Sequence, residues 1–330
     1  MPLVASVYQA PWALRSGHLQ TILPLCLPRR YARWQTSERL ELPDGDFVDL
    51  HWQRGGFGRL VILSHGLEGS SEAVYIRGMA ATLSRAGWDV LAWNYRGCGG
   101  VANRLPRSYH SGESEDLRHV IVHAGQGYSR MALVGFSLGG NITLKYLGEA
   151  TAHPAITSAV AVSAPVDLAS SAGALDSRRD NGLYLRRFLK TLITKMEAKA
   201  RQFPDHVAVE GIRRIRTIRE FDDRYTAPLH GFRDAEDYWA RASSLPHLPK
   251  IQVPALLLNA QDDPLLAASS FPEGAAGASS FLHLETPRHG GHVGFLDFAQ
   301  GLIPWHERRA VQFLNGGDDD PAAPGMHASS

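Results

Sequence analysis

The stretch Leu133–Val134–Gly135–Phe136–Ser137–Leu138–Gly139–Gly140–Asn141 constrains this chain more than any other. Apolar residues run into a Gly-x-Ser-x-Gly pattern, and helix-compatible residues (Ile142, Leu144, Lys145, Tyr146, Leu147) follow at once, so the order is strand, sharp turn, helix. A turn that tight puts Ser137 into a strained backbone conformation, and a side chain at Gly135 or Gly139 would collide where strand and helix cross. The serine oxygen is pushed out at the tip, in the arrangement of a nucleophile elbow. Behind it the helix begins with unpaired N–H groups and the positive end of its dipole, both of which favour developing negative charge. An ordinary strand-to-helix turn would also accept Gly and Ser here, so the reading depends on what the rest of the chain supplies.

Buried-strand patterns recur on both sides of this stretch. Leu60–Val61–Ile62–Leu63–Ser64 is a continuous apolar run, and Trp88–Asn94, Ile156–Ser163, Pro254–Asn259 and Ser279–Leu284 are of the same kind. Helical segments at 72–86 and 113–126 alternate with them, which predicts a mostly parallel α/β sheet covered on both faces. Before it, alternation around Pro43–Asp44–Gly45–Asp46 predicts an antiparallel strand pair within 37–52. From 167 to 250 no buried strand is evident and basic helical segments replace it, so this region is expected to be a helical cap inserted between parts 36–166 and 251–314 of one core. A terminal helix is expected around Trp305–Leu314, and residues 315–330, rich in Gly, Asp, Pro and Ser, are expected to be a disordered tail. Residues 1–35 have little periodicity and read as an arm. Within it Ser16–Gly17–His18–Leu19–Gln20–Thr21–Ile22 reads as a loop with local side-chain hydrogen bonds.

A serine hydroxyl is a weak nucleophile unless a base accepts its proton, and that base needs an acid to hold its tautomer. In open α/β sheets these groups belong on loops at the carboxyl ends of strands. Asn259–Ala260–Gln261–Asp262–Asp263–Pro264 follows one buried strand and Arg288–His289–Gly290–Gly291–His292–Val293 follows the last. Asp263 is the preferred acid, with Asp262 expected to bond the turn backbone and Asp167 a weaker alternative. His292 is the preferred base because glycines before it permit close approach, while His289 reads as a loop residue. The His289 and His292 spacing lacks a helical pattern or a carboxylate ligand, so no metal is expected. The loop His65–Gly66–Leu67–Glu68–Gly69–Ser70–Ser71 could bring backbone N–H groups to a substrate oxygen, making Leu67 and Leu138 the expected oxyanion donors.

These strings together resemble the α/β-hydrolase fold, and SGHLQTILP (16–24), NYRG (94–97), REFDDRYTAPLHGF (219–232) and NAQDDP (259–264) resemble the YheT-like hydrolases from about Ser16 to Leu314. The resemblance implies carboxylesterase or lipase-like activity on acyl esters through Ser137, Asp263 and His292, without cofactor, and a role near the site for the arm and the 219–232 segment. Animal relatives of that group are membrane-anchored, but no corresponding segment is evident here, so phospholipid preference does not carry over. Acyl transfer on the same three residues, a lyase or cofactor-free peroxidase at the same site, and a non-catalytic ligand-binding module are the rival readings.

With 34 basic and 33 acidic residues the chain gives no reason to expect nucleic acid as a partner. Two cysteines, Cys26 and Cys98, are too few for a disulfide framework and suit a reducing, cytoplasmic setting. Cys98 reads as a small loop residue. No apolar run approaches the roughly 18 residues of a membrane span, whereas amphipathic segments in the middle of the chain are compatible with peripheral membrane contact.

Overall fold

The computed structural model describes residues 3–29, 31, 33–149 and 152–316. Of the expected tail only Asn315 and Gly316 fall within that range, and the rest lies outside the described residues. Among the described residues nine strands form one sheet: β1 (Leu3–Val4), β2 (Thr36–Glu41), β3 (Phe47–Gln53), β4 (Arg59–Ser64), β5 (Asp89–Asn94), β6 (Arg130–Phe136), β7 (Ile156–Val162), β8 (Ala255–Leu258) and β9 (Leu282–Glu285). Their order is β1-β9-β8-β7-β6-β4-β5-β3-β2. Every pairing is parallel except β2 with β3 and β3 with β5.

The continuous apolar runs arise because both faces of the sheet are covered. Successive side chains of a strand point to opposite faces, and β4 sends Leu60 and Ile62 into one core while Val61 and Leu63 enter the other. The first core is closed by α3 (Ser114–Ala124) through Leu117, Val120 and Ile121, and by α4 (Leu138–Glu149) through Ile142 and Leu144. The second is closed by α2 (Val74–Arg85) through Ile76, Met79 and Leu83, and by the C-terminal helix Trp305–Leu314. All of β4, β6 and β7 therefore emerge at the same rim, where the loops after them carry the candidate groups.

Two features of the arm differ from the loop reading. Leu3–Val4 adds a short parallel strand beside β9, and Gly17–Cys26 is a helix, α1, with Ser16 as N-cap. The loop reading failed because the helix carries its polar residues inward: Gln20 is fully buried, while Leu19, Ile22 and Leu25 face outward. An amphipathic pattern with its apolar side toward solvent does not look like a core-packing helix.

The segment between β7 and β8 holds α5 (Leu168–Ser177), α6 (Gly182–Gln202) and several short helices, with no strand among the described residues. It has its own apolar cluster, including Leu175, Leu189, Met196, Phe221 and Trp239. Within the YRG part of the 94–97 string, Arg96 is almost fully buried and makes a bidentate pair with Asp116 (2.7 Å to each oxygen) plus a bond to Asp44. Breaking one member of such a buried ionic cluster typically costs about 3–5 kcal/mol, so Arg96 locks the loop after β5 to the strand-pair turn.

Candidate active site

Strand β6 ends at Phe136, α4 begins at Leu138, and Ser137 between them has φ 54°. That left-handed value is unfavourable for a residue with a side chain, and the surroundings enforce it. Ser137 N–H donates to the Val162 carbonyl (2.9 Å), while the Ser137 carbonyl accepts from Gly140 and Asn141 N–H. A Cβ at Gly139 would sit 2.4 Å from the Ser64 carbonyl oxygen, and one at Gly135 would sit 2.2 Å from the Gly139 carbonyl oxygen. The turn can exist only because both positions are bare.

The 65–71 loop crosses beside it, with Gly66 next to the Ser137 Cβ. Three tyrosines tie it down. Tyr75 Oη accepts from Gly66 N–H (2.9 Å), Tyr95 Oη donates to the His65 carbonyl (2.6 Å), and Tyr109 Oη accepts from Glu68 N–H (2.9 Å). The His65 ring donates from Nδ1 to the Gly66 carbonyl (2.8 Å) and accepts the Tyr95 N–H at Nε2 (3.3 Å), which defines a neutral tautomer. Complete burial pushes that imidazole down to about 3, the bond to Gly66 opposing. Among the described residues the N–H groups of Leu67 and Leu138 have no hydrogen-bond partner. Leu138 follows Ser137 directly, and Leu67 follows Gly66, which lies next to the Ser137 Cβ.

Asp263, from the turn after β8, and His292, from the loop after β9, come together: Asp263 Oδ2 lies 2.8 Å from His292 Nδ1. The carboxylate is buried, and its other oxygen accepts Leu265 N–H (2.9 Å). Asp262 points elsewhere, accepting Gly291 N–H (2.9 Å) and lying 3.2 Å from His289 Nδ1. Asp167 caps α5 by accepting from Ser170 and is not joined to His292. The residue after His292, Val293, donates its N–H to Ser163 Oγ (2.9 Å). Ser163 follows β7 as Ser137 follows β6, and those strands pair at Val162 and Phe136. The histidine loop is therefore pinned to the residue that follows the strand next to the serine's own. Asp263 and His292 are joined, and Ser137 Oγ makes no hydrogen bond among the described residues.

Sequence reasoning missed what holds this loop. Thr21 Oγ1 on α1 accepts the His292 N–H (2.9 Å) and donates to the Gly17 carbonyl. Gln20 accepts Leu296 N–H (2.8 Å) and donates to Tyr8 Oη and to the Leu14 and Leu296 carbonyls. The only available signal was the 16–24 string. From the segment expected to be a cap, Lys195 of α6 donates to Glu68 Oε1 (2.7 Å) and lies 3.4 Å from Cys98 Sγ. Burial pushes the Cys98 thiol up to about 11, as suits an inert loop residue.

Buried neutral histidines make the structure acid-sensitive. His65 and His306 are both held near 3, chiefly by burial. Below their unfolded value near 6.5, the unfolded chain binds protons that the folded one refuses, so their contribution is intact above 6.5 and lost as pH falls toward 3. Asp222, pushed up to about 7 by burial, acts in the opposite sense. Comparison with a variant therefore isolates one histidine: from pH 7.5 to 4.5 the urea midpoint of His306→Gln is expected to fall less than that of the wild type. An equal fall would contradict the linkage.

A family model described as alpha/beta hydrolase fold matches residues 59–299. The chain is 36% identical over 288 residues to the Escherichia coli (strain K12) protein named "Putative esterase YheT", covering 84% of each. It is 30% identical over 278 residues to a monoacylglycerol lipase of Saccharomyces cerevisiae, covering 81% of this chain and 61% of that one. Among solved structures it superposes on the Pyrococcus furiosus esterase PF2001 with a TM-score of 0.57 at 18% identity, covering 88% of this chain and 96% of that one.

Proposed function

The chain belongs to the alpha/beta hydrolase fold family, in its YheT-like branch, and on that premise we propose that it is a serine hydrolase of carboxylic esters. The observation that carries this reading is the 2.8 Å contact between His292 Nδ1 and Asp263, on a loop bonded to Ser163, which follows the strand next to the one that ends at the strained Ser137 turn. The esterase and lipase named among its relatives support an ester as the bond cleaved.

In this mechanism Ser137 Oγ attacks the ester carbonyl carbon as His292 Nε2 takes its proton. Asp263 accepts the Nδ1–H and stabilises the imidazolium. The carbonyl oxygen becomes an oxyanion received by the N–H groups of Leu67 and Leu138, each such donor being worth about 3 kcal/mol in the transition state. His292 then protonates the departing alcohol. Water attacks the acyl-enzyme with His292 again as base, releasing the acid and restoring Ser137. Contact between Ser137 and His292 closes when substrate is bound, since such bonds are commonly longer in the empty enzyme. No step calls on a cofactor.

A fluorophosphonate tests the assignment directly, because it reacts with a serine only where base and oxyanion donors converge. One equivalent is expected on the peptide containing Ser137. Labelling of another residue, or none, would overturn the reading.

A further inference from the structure

The outward side of α1 is apolar, and the same helix is bonded to the histidine loop through Thr21. Leu19, Ile22 and Cys26 are spaced at i, i+3 and i+7 on one side of the helix, and Gln20 and Thr21 occupy the other, where they hold the histidine loop. Trp12, just before α1, and Leu19, Ile22 and Leu25 are from 40% to 83% exposed. No charged residue interrupts Gly17–Cys26. A helix that shows water an uncharged, leucine-rich side forgoes burial that the rest of this protein exploits, and such patches mark contact surfaces.

The patch does not end at α1. His18 stacks on Tyr184 of α6 (ring centres 5.8 Å apart, planes 10° from parallel) and also contacts Asp180. Next to Tyr184, Leu183 is exposed, and Arg186, Arg187 and Lys190 follow it on the same side of α6 at i+3, i+4 and i+7. With Arg15 and Arg179 these exposed cations have no carboxylate partner among the described residues. No acidic residue occurs between Asp180 and Glu197, and Asp180 is already engaged by His18 and Arg178. An apolar stripe containing a tryptophan, bordered by unpaired arginines, is the composition of a segment lying at a lipid interface.

We propose that α1 and the first turns of α6 form a docking face for an anionic lipid bilayer, with Trp12, Leu19, Ile22 and Leu25 entering the acyl boundary and Arg186, Arg187 and Lys190 meeting headgroup phosphates. A second copy of the chain fits less well, because two such faces would oppose their own unpaired cations. Because Thr21 on the same helix bonds His292 N–H, docking would bring the candidate site to the membrane surface. Docking goes beyond the hydrolase reading and does not depend on it, since adsorption requires no turnover.

The test is sedimentation of the full chain with vesicles of phosphatidylcholine alone or mixed with phosphatidylglycerol. Binding is expected only to the mixed vesicles and to weaken with salt. Arg186→Glu/Arg187→Glu and, separately, Leu19→Ser/Ile22→Ser should each reduce the partition coefficient at least about tenfold, with turnover of a short water-soluble ester unchanged in the arginine variant. Wild-type protein left in the supernatant, or variants that pellet like wild type, would overturn the proposal. So would a homodimer dissociated by the same substitutions without vesicle binding. Absence of ester turnover together with intact vesicle binding would refute the hydrolase reading alone.

Discussion

Ser137→Ala is expected to abolish hydrolysis of p-nitrophenyl esters, with kcat falling by roughly a million-fold to the background of the folded scaffold. The loss is that large because the acyl-enzyme route disappears, leaving only binding and oxyanion contacts to assist water. The protein should still fold. Ser137 Oγ contributes no hydrogen bond among the described residues, and its backbone is held by Val162, Gly140 and Asn141 through main-chain atoms. Ser137→Gly provides a sharper control. At φ 54° a side chain costs about 1–2 kcal/mol, so the glycine variant should be equally inactive yet melt higher than Ser137→Ala. Retained turnover in either variant would reject Ser137 as nucleophile, and a lower melting point for the glycine variant would reject strain at the turn.

Replacing Asp263 by Asn is expected to lower kcat by about ten-thousandfold, the magnitude seen where an amide forces the wrong imidazole tautomer. An amide nitrogen facing His292 Nδ1 would donate there, leaving Nε2 protonated and unable to accept from serine. Asp262→Asn should do far less, since Asp262 bonds Gly291 N–H and contacts His289. Its loss loosens the histidine loop without altering the tautomer, and a change of no more than about tenfold is expected. Measuring kcat for both variants at one saturating ester concentration decides between the adjacent carboxylates. The reverse order of effects would make Asp262 the acid.

Legibility followed locality. The strands leading to Ser64, Phe136, Val162 and Leu258 were readable because each is an apolar run ended by a turn, and the loops bearing Leu67, Ser137 and Asp263 follow three of them. Neighbouring carboxylates at 262 and 263 differ only in where the chain aims them, which a sequence pattern does not encode. Helix α1 was hidden by its reversed polarity, with Gln20 at zero exposure and leucines outside. The bond between Lys195 and Glu68, and that between Thr21 and His292, join positions 127 and 271 residues apart. No periodicity announces such a pair.

That last separation bears on how the protein is made. The edge pairing of Leu3–Val4 with Leu284–Glu285 spans even more of the chain. A polypeptide still emerging from the ribosome can build the sheet around Ser137, yet it has no histidine to give that serine and no partner for Thr21. Under the proposed mechanism, competence to cleave an ester then arrives only after His292 has been made and has reached Thr21.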